Sequence, residues 1–201
     1  LRLVGGWRAR GSVPDVITYN SVINACAKGG EWQRALNLLD EMRSRGLVPD
    51  VIMYSSVINA CAKGGESQRA HNLLDEMRRR GLVPNMITYN SVINACAKGG
   101  ESQRAFELLE EMRTRGLLPN EITYNSVINA CAKGGECQRA LGLHNQMRTR
   151  GMSRGATTHN RDNNACAKGG EAQRARKLPE QKRRRGSAPS EITYNSVSTA
   201  D

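Results

Sequence analysis

From Val16 to Asp50 the chain twice follows the apolar rhythm of a helix. Tyr19, Val22, Ile23 and Cys26 stand at i, i+3, i+4 and i+7, which places one apolar stripe on one helix face. Gly29 and Gly30 stop that helix, because glycine accepts the left-handed backbone found just past a helix end. Glu31 opens the next helix, where a carboxylate suits the positive N-terminus. Ala35, Leu38, Leu39 and Met42 then repeat the same stripe. Arg43 and Arg45 fall in the last turn, Gly46 caps it, and Pro49 bars continuation. The pattern predicts a helical hairpin with helices of roughly 12 and 14 residues.

The same text restarts every 35 residues, at Val16, Val51, Met86, Glu121, Ala156 and Glu191. A fixed period of this size marks a stacked array rather than one globular core. A single hairpin cannot bury its own apolar face, so neighbours must stack on one another as an all-α solenoid. The expected units are 16–50, 51–85, 86–120, 121–155 and 156–190. Residues 1–15 form the second half of a preceding unit, and 191–201 the clipped start of another. A chain that starts and stops inside a unit reads as a fragment of a longer array, with no targeting segment in view.

Net charge is +11, which invites a nucleic-acid partner. The three best-preserved units together hold only +2 of it, and the excess gathers where the pattern decays, as at Lys182–Arg185. That run reads as a solvated face. No stretch reaches the ~18 apolar residues of a membrane span. Cys26, Cys61, Cys96, Cys131 and Cys166 share one place in their units, whereas Cys137 stands alone. Stacked helices lie ~8–10 Å apart, and a disulfide needs Cα atoms within ~7 Å. The periodic cysteines are therefore expected to be small buried hydrophobes in a reducing compartment.

Chemistry is sparse. "AKGGE" lacks the spacing of a phosphate loop. His71, His144 and His159 occupy unrelated places, no serine, histidine and acid recur together, and no metal-type cysteine pair appears. No catalysis, cofactor, metal or small-molecule substrate is expected. The first three full units differ at ten of 35 places, and every stripe position is unchanged. The fifth place reads Asn20, Ser55, Asn90, and the last reads Asp50, Asn85, Asn120. These exchanges keep a hydrogen-bonding group while changing what it donates and accepts. The last place of one unit lies just before the first helix of the next, so stacking should bring the two sets together on one edge. Asp or Asn there is also a common N-cap.

Several features together resemble the pentatricopeptide repeat. They are the 35-residue period, the "TYN" start, the small-residue turn preceded by Lys, "A-L-x-L-L-x-E-M", and the closing "G-x-x-P-D/N". Tetratricopeptide repeats, with their different period and first-helix signature, fit less well. The resemblance is strong over Val16–Asn120 and weakens beyond the first half of the fourth unit. It implies a right-handed superhelix of helix-turn-helix repeats that binds single-stranded RNA, one base per unit, in a mitochondrion or plastid. It further implies that Asn20 with Asp50, Ser55 with Asn85, and Asn90 with Asn120 choose the bases, in the order U, A, then C or U. Ile17, Ile52, Ile87 and Ile122 would sandwich those bases. Lys28, Lys63, Lys98 and Lys133 would face phosphates, although each also suits the negative end of its own helix.

The pattern fails toward the end. Ser153–Gly155 replace the closing motif, so Asn125 loses its usual partner, and His144 replaces a stripe leucine. In the fifth unit Asp162 and Asn163 replace the stripe pair, Pro179 falls inside a helix, and Lys182 replaces the stripe methionine. That unit should pack loosely across Arg161–Arg185, and its pair Asn160 with Ser190 should read no base. The expected role is sequence-specific RNA binding in RNA processing, stability, editing or translation. A protein-binding scaffold is the alternative, and a decaying fragment with no specific ligand is a third.

Overall fold

A computed structural model of the chain describes residues 14–152 together with Arg161, Ala165, Cys166 and Lys168. Eight helices are defined within 14–152: α1 Val16–Gly29, α2 Trp32–Ser44, α3 Val51–Gly64, α4 Ser67–Arg79, α5 Met86–Gly99, α6 Ser102–Thr114, α7 Glu121–Gly134 and α8 Cys137–Thr149. The first helix of each hairpin has 14 residues and the second 13. The first helix runs through Gly29 and stops at Gly30, whose φ of 73° is a left-handed backbone open mainly to glycine. The expected half-unit within 1–13, Ser153–Gly155, and Asn160 with Ser190 lie outside the described residues. So does the expected loose packing across 161–185, apart from the four residues named above.

The chain divides into two compact units, Leu1–Ser91 and Val92–Asp201, with the division inside α5. In the first, α1 packs on α2 and α3, and α3 packs on α2 and α4. Tyr19, Ile23, Leu39, Met42, Tyr54, Ile58, Leu74 and Met77 are fully buried there. Helix α1 buries four residues, whereas α3, with neighbours on more sides, buries eight. In the second unit α7 packs on α6 and α8 around Leu109, Met112, Tyr124, Ile128 and Met147. Each unit is a short stretch of α-solenoid. No helix among the described residues is long and apolar enough to cross a membrane.

Buried tyrosines knit these hairpins. Arg43 of α2 donates to Tyr54 Oη of α3 at 2.7 Å and lies 2.7 Å from Glu76 Oε1 of α4, to which Tyr54 also donates at 3.1 Å. One guanidinium thus joins three helices, with its charge matched by a carboxylate. In the second unit Arg113 donates to Tyr124 Oη and to Gln146 Oε1, both at 2.7 Å. The tyrosines are therefore core residues, with no face left for a base.

One cysteine expectation is corrected. Cys26, Cys61, Cys96 and Cys131 are free and buried, but Cys166 forms a disulfide with Cys137, at a Cα–Cα distance of 4.4 Å. The spacing of helix axes is larger than that of the Cα atoms that face each other across them. Each helix carries its Cα atoms ~2.3 Å off axis, so facing residues on axes ~8–10 Å apart approach within ~3.5–5.5 Å. Cys137 opens the second helix of its hairpin, where the earlier units hold Trp32, Ser67 and Ser102, and it faces Cys166 from the following unit.

Candidate nucleic-acid interface

The implied RNA-facing residues fall on one strip of each first helix. A helix turns ~100° per residue, so Ile17 and Lys28, eleven residues apart, project within ~20° of each other. Asn20 lies ~60° to one side of Ile17 by the same geometry. The equivalents on α3, α5 and α7 inherit this spacing through the 35-residue repeat. The strip is open: Ile17 is 74% exposed, Ile52 66%, Ile87 65% and Ile122 64%. Lys28, Lys63, Lys98 and Lys133 are all exposed at the last turn. Each first helix thus exposes one isoleucine at the same place, while most of its stripe is buried.

Neighbouring lysines are held in line. Lys63 Nζ donates to the Lys28 carbonyl at 3.1 Å, and Lys133 Nζ donates to the Lys98 carbonyl at 2.7 Å. Each ammonium therefore neutralises the negative end of the preceding unit's helix rather than only its own.

The last-place residues are N-caps. Asp50 Oδ1 accepts from the Met53 amide at 2.8 Å. Asn85 Oδ1 accepts from the Thr88 amide at 3.0 Å, and Asn120 Oδ1 from the Thr123 amide at 3.0 Å. Capping uses one end of each side chain. Asn20, Asn90 and Asn125 are half-buried in the first turn of their helices, whereas Ser55 is only 6% exposed. The Asn125 backbone carbonyl accepts from Arg161 at 2.8 Å.

One expected pair is linked through an intervening side chain. Ser55 Oγ lies 2.7 Å from Thr88 Oγ1, and Thr88 Oγ1 donates to Asn85 Oδ1 at 3.1 Å. The fifth and last places of unit 51–85 thus meet through a threonine at the third place of the following unit. Unit 16–50 has no such bridge, because Met53 stands where Thr88 does. There Asn20 Oδ1 is buried without a hydrogen-bond partner.

Three sets of residues escaped the sequence reading. The bridging threonine is one, although the exchange of Thr18, Met53, Thr88 and Thr123 at one place was visible. Asn24, Asn59, Asn94 and Asn129, at least partly exposed, are the second; they project ~20° from the isoleucines by the turn angle. The third is Val48, Val83 and Leu118, all strongly exposed, two residues before each capping residue.

Residues 8–199 match the family model for the pentacotripeptide-repeat region of PRORP. The crystal structure of the maize pentatricopeptide repeat protein PPR10 is 27% identical, with a TM-score of 0.56 over 98% of this chain and 33% of that one. The same protein in complex with an 18-nt psaJ RNA element gives a TM-score of 0.55 at 24% identity, over 98% of this chain and 34% of that one. The PPR domain of Arabidopsis thaliana protein-only RNase P 1, in complex with tRNA, gives a TM-score of 0.73 at 17% identity, over 90% of this chain and 95% of that one. The chain spans about a third of the maize protein's length. No curated protein matches the chain significantly.

Proposed function

Because the chain belongs to the pentatricopeptide-repeat family, we propose that it binds single-stranded RNA by modular readout, one repeat to one base. The observation that carries this reading is the shared strip: exposed isoleucine, polar fifth-place residue and exposed lysine on one side of each first helix. An apolar wall supports a base face, a donor and an acceptor meet its edge, and a regularly spaced ammonium follows the phosphates. The readers are Asn20 with Asp50, Ser55 with Asn85, and Asn90 with Asn120, with Asn125 as an incomplete fourth. Ile17, Ile52, Ile87 and Ile122 flank the bases, and Lys28, Lys63, Lys98 and Lys133 face the backbone. The chain's own part is binding rather than catalysis, in RNA processing, stability, editing or translation within a mitochondrion or plastid. Related repeat regions in complex with an 18-nt RNA element and with tRNA support RNA as the ligand class.

A second reading, a protein-binding scaffold, draws on Val48, Val83 and Leu118, exposed apolar residues to which the RNA reading gives no task. Binding of short RNAs carrying UAC, against scrambled, duplex and tRNA controls at two salt concentrations, tests the choice. The RNA reading expects UAC to bind tightest and affinity to fall with salt. Equal binding of all four RNAs, or none, contradicts it.

A further inference from the structure

We propose that the third residue of each following unit, Thr88 in the clearest case, is a positioning residue that sets the polarity of the base-reading pair. This rests on the RNA reading above and adds to it a determinant outside the pair itself.

The available protons fix the polarity. Thr88 Oγ1 has one hydrogen to give. It lies 3.1 Å from Asn85 Oδ1, which cannot donate, so the threonine proton must point there. Thr88 Oγ1 also accepts from the Asn85 amide at 3.3 Å. The 2.7 Å contact with Ser55 must then be filled by the serine's own proton. Ser55 is left as an acceptor only. Asn85 Oδ1 takes both the Thr88 amide and the Thr88 hydroxyl, so its two lone-pair directions are used. What Asn85 retains for a ligand is its Nδ2 donor.

Without the Thr88 hydroxyl the backbone amide still caps Asn85 Oδ1, but one of that oxygen's lone pairs is open and the serine polarity is not fixed. A serine hydroxyl rotates to suit its partner, and could donate or accept. With Thr88 the pair becomes one acceptor beside one donor. That matches the Watson–Crick edge of adenine, whose exocyclic amine donates and whose ring N1 accepts. It mismatches guanine, which presents an acceptor where adenine donates and a donor where adenine accepts. The short serine also leaves more room for a purine than asparagine does.

The first module gives the contrast. Met53 supplies no hydroxyl, so Asp50 Oδ1 receives only the Met53 amide, whereas Asp15 Oδ1 receives both the amide and the hydroxyl of Thr18, at 2.8 and 2.6 Å. Asn20 Oδ1 correspondingly has no partner, and no hydrogen bond fixes that oxygen in place. Discrimination at the nucleotide facing Asn20 and Asp50 should therefore be weaker than a threonine would allow.

The test uses the full 201-residue chain and short single-stranded RNAs in which one nucleotide is varied through all four bases. The wild-type chain is expected to favour A at the Ser55–Asn85 position by about fivefold or more, the low end of one good base contact. Thr88→Val keeps the side-chain shape and removes the hydroxyl. It should cut that preference to about twofold or less, leaving discrimination at the other nucleotides and the salt dependence unchanged. Thr88→Ser should restore it. Met53→Thr should sharpen discrimination at the first nucleotide, and it carries the test alone if Thr88→Val loses helical circular dichroism. Undiminished preference in folded Thr88→Val, a uniform loss of affinity for all four bases, or no change in Met53→Thr overturns the proposal. A wild-type chain that distinguishes no base at any position overturns the RNA reading instead.

Discussion

At the scale of single residues, buried groups settle their charge by what surrounds them. Burial pulls the Glu76 carboxyl up, yet its hydrogen bond from Arg80 and its contacts with Arg43 and Tyr54 outweigh that and hold it below the ordinary 4.5. A depressed folded-state pKa adds stability that is present above the unfolded value and lost as pH falls through the folded one. The wild-type chain should therefore lose stability as pH falls from about 5 to 3, and Glu76→Gln should flatten that slope. Chemical denaturation across that range checks it; identical slopes would mean the Arg43 network contributes nothing. Burial likewise pushes the Cys61 and Cys96 thiols up to about 11. Because the thiolate is the nucleophile, neither should be alkylated by iodoacetamide at neutral pH in the folded chain. Mass mapping of the labelled protein reads this directly, and rapid labelling of either would show that its helix opens. Identity and place made these cysteines legible as core. Thr88 was not legible, because its role depends on which hydroxyl across the stack gives its proton to which acceptor.

At the scale of elements, the hairpin could be read from the sequence almost in full: stripes, caps and stops fall where the apolar period and the glycines put them. What period alone could not supply is how closely adjacent hairpins approach. Trp32, at the start of α2, lies so near α3 that a Cβ on Gly64 would sit 2.2 Å from its ring. The Arg69 guanidinium covers the same indole at 4.7 Å. Gly64→Ala should therefore destabilise by roughly 1–3 kcal/mol through overpacking. Gly134→Ala, whose Cβ would meet Ser102 Oγ at an ordinary 3.5 Å, should instead gain about 0.5–1 kcal/mol from helix propensity. Urea midpoints of the two variants separate the effects, and equal shifts would refute this account of the contact. The Cys137–Cys166 disulfide was missed for the same reason: sequence spacing gives the distance between axes, not between the residues that face each other across them.

At the scale of the whole chain, the repeat specifies a surface more clearly than a ligand. Each first helix carries one exposed apolar residue, one polar residue and one lysine on a common side, and stacking within a unit lines up the lysines Lys28 and Lys63. Near-neutral modules can thus present positive charge locally, which net charge per unit concealed. In the proposed readout, each module's base is chosen by a pair of residues at the fifth and last places of its unit. The exchanges at both places were visible in the sequence, their pairing came from the family resemblance, and Ser55 and Asn85 are linked in space through Thr88. The most direct measurement is a specificity swap: Ser55→Asn together with Asn85→Asp, assayed against RNAs varied only at the middle base. The account predicts that preference there moves from A to U while the flanking positions keep theirs. An unchanged preference for A, or a shift spread over every position, would contradict it.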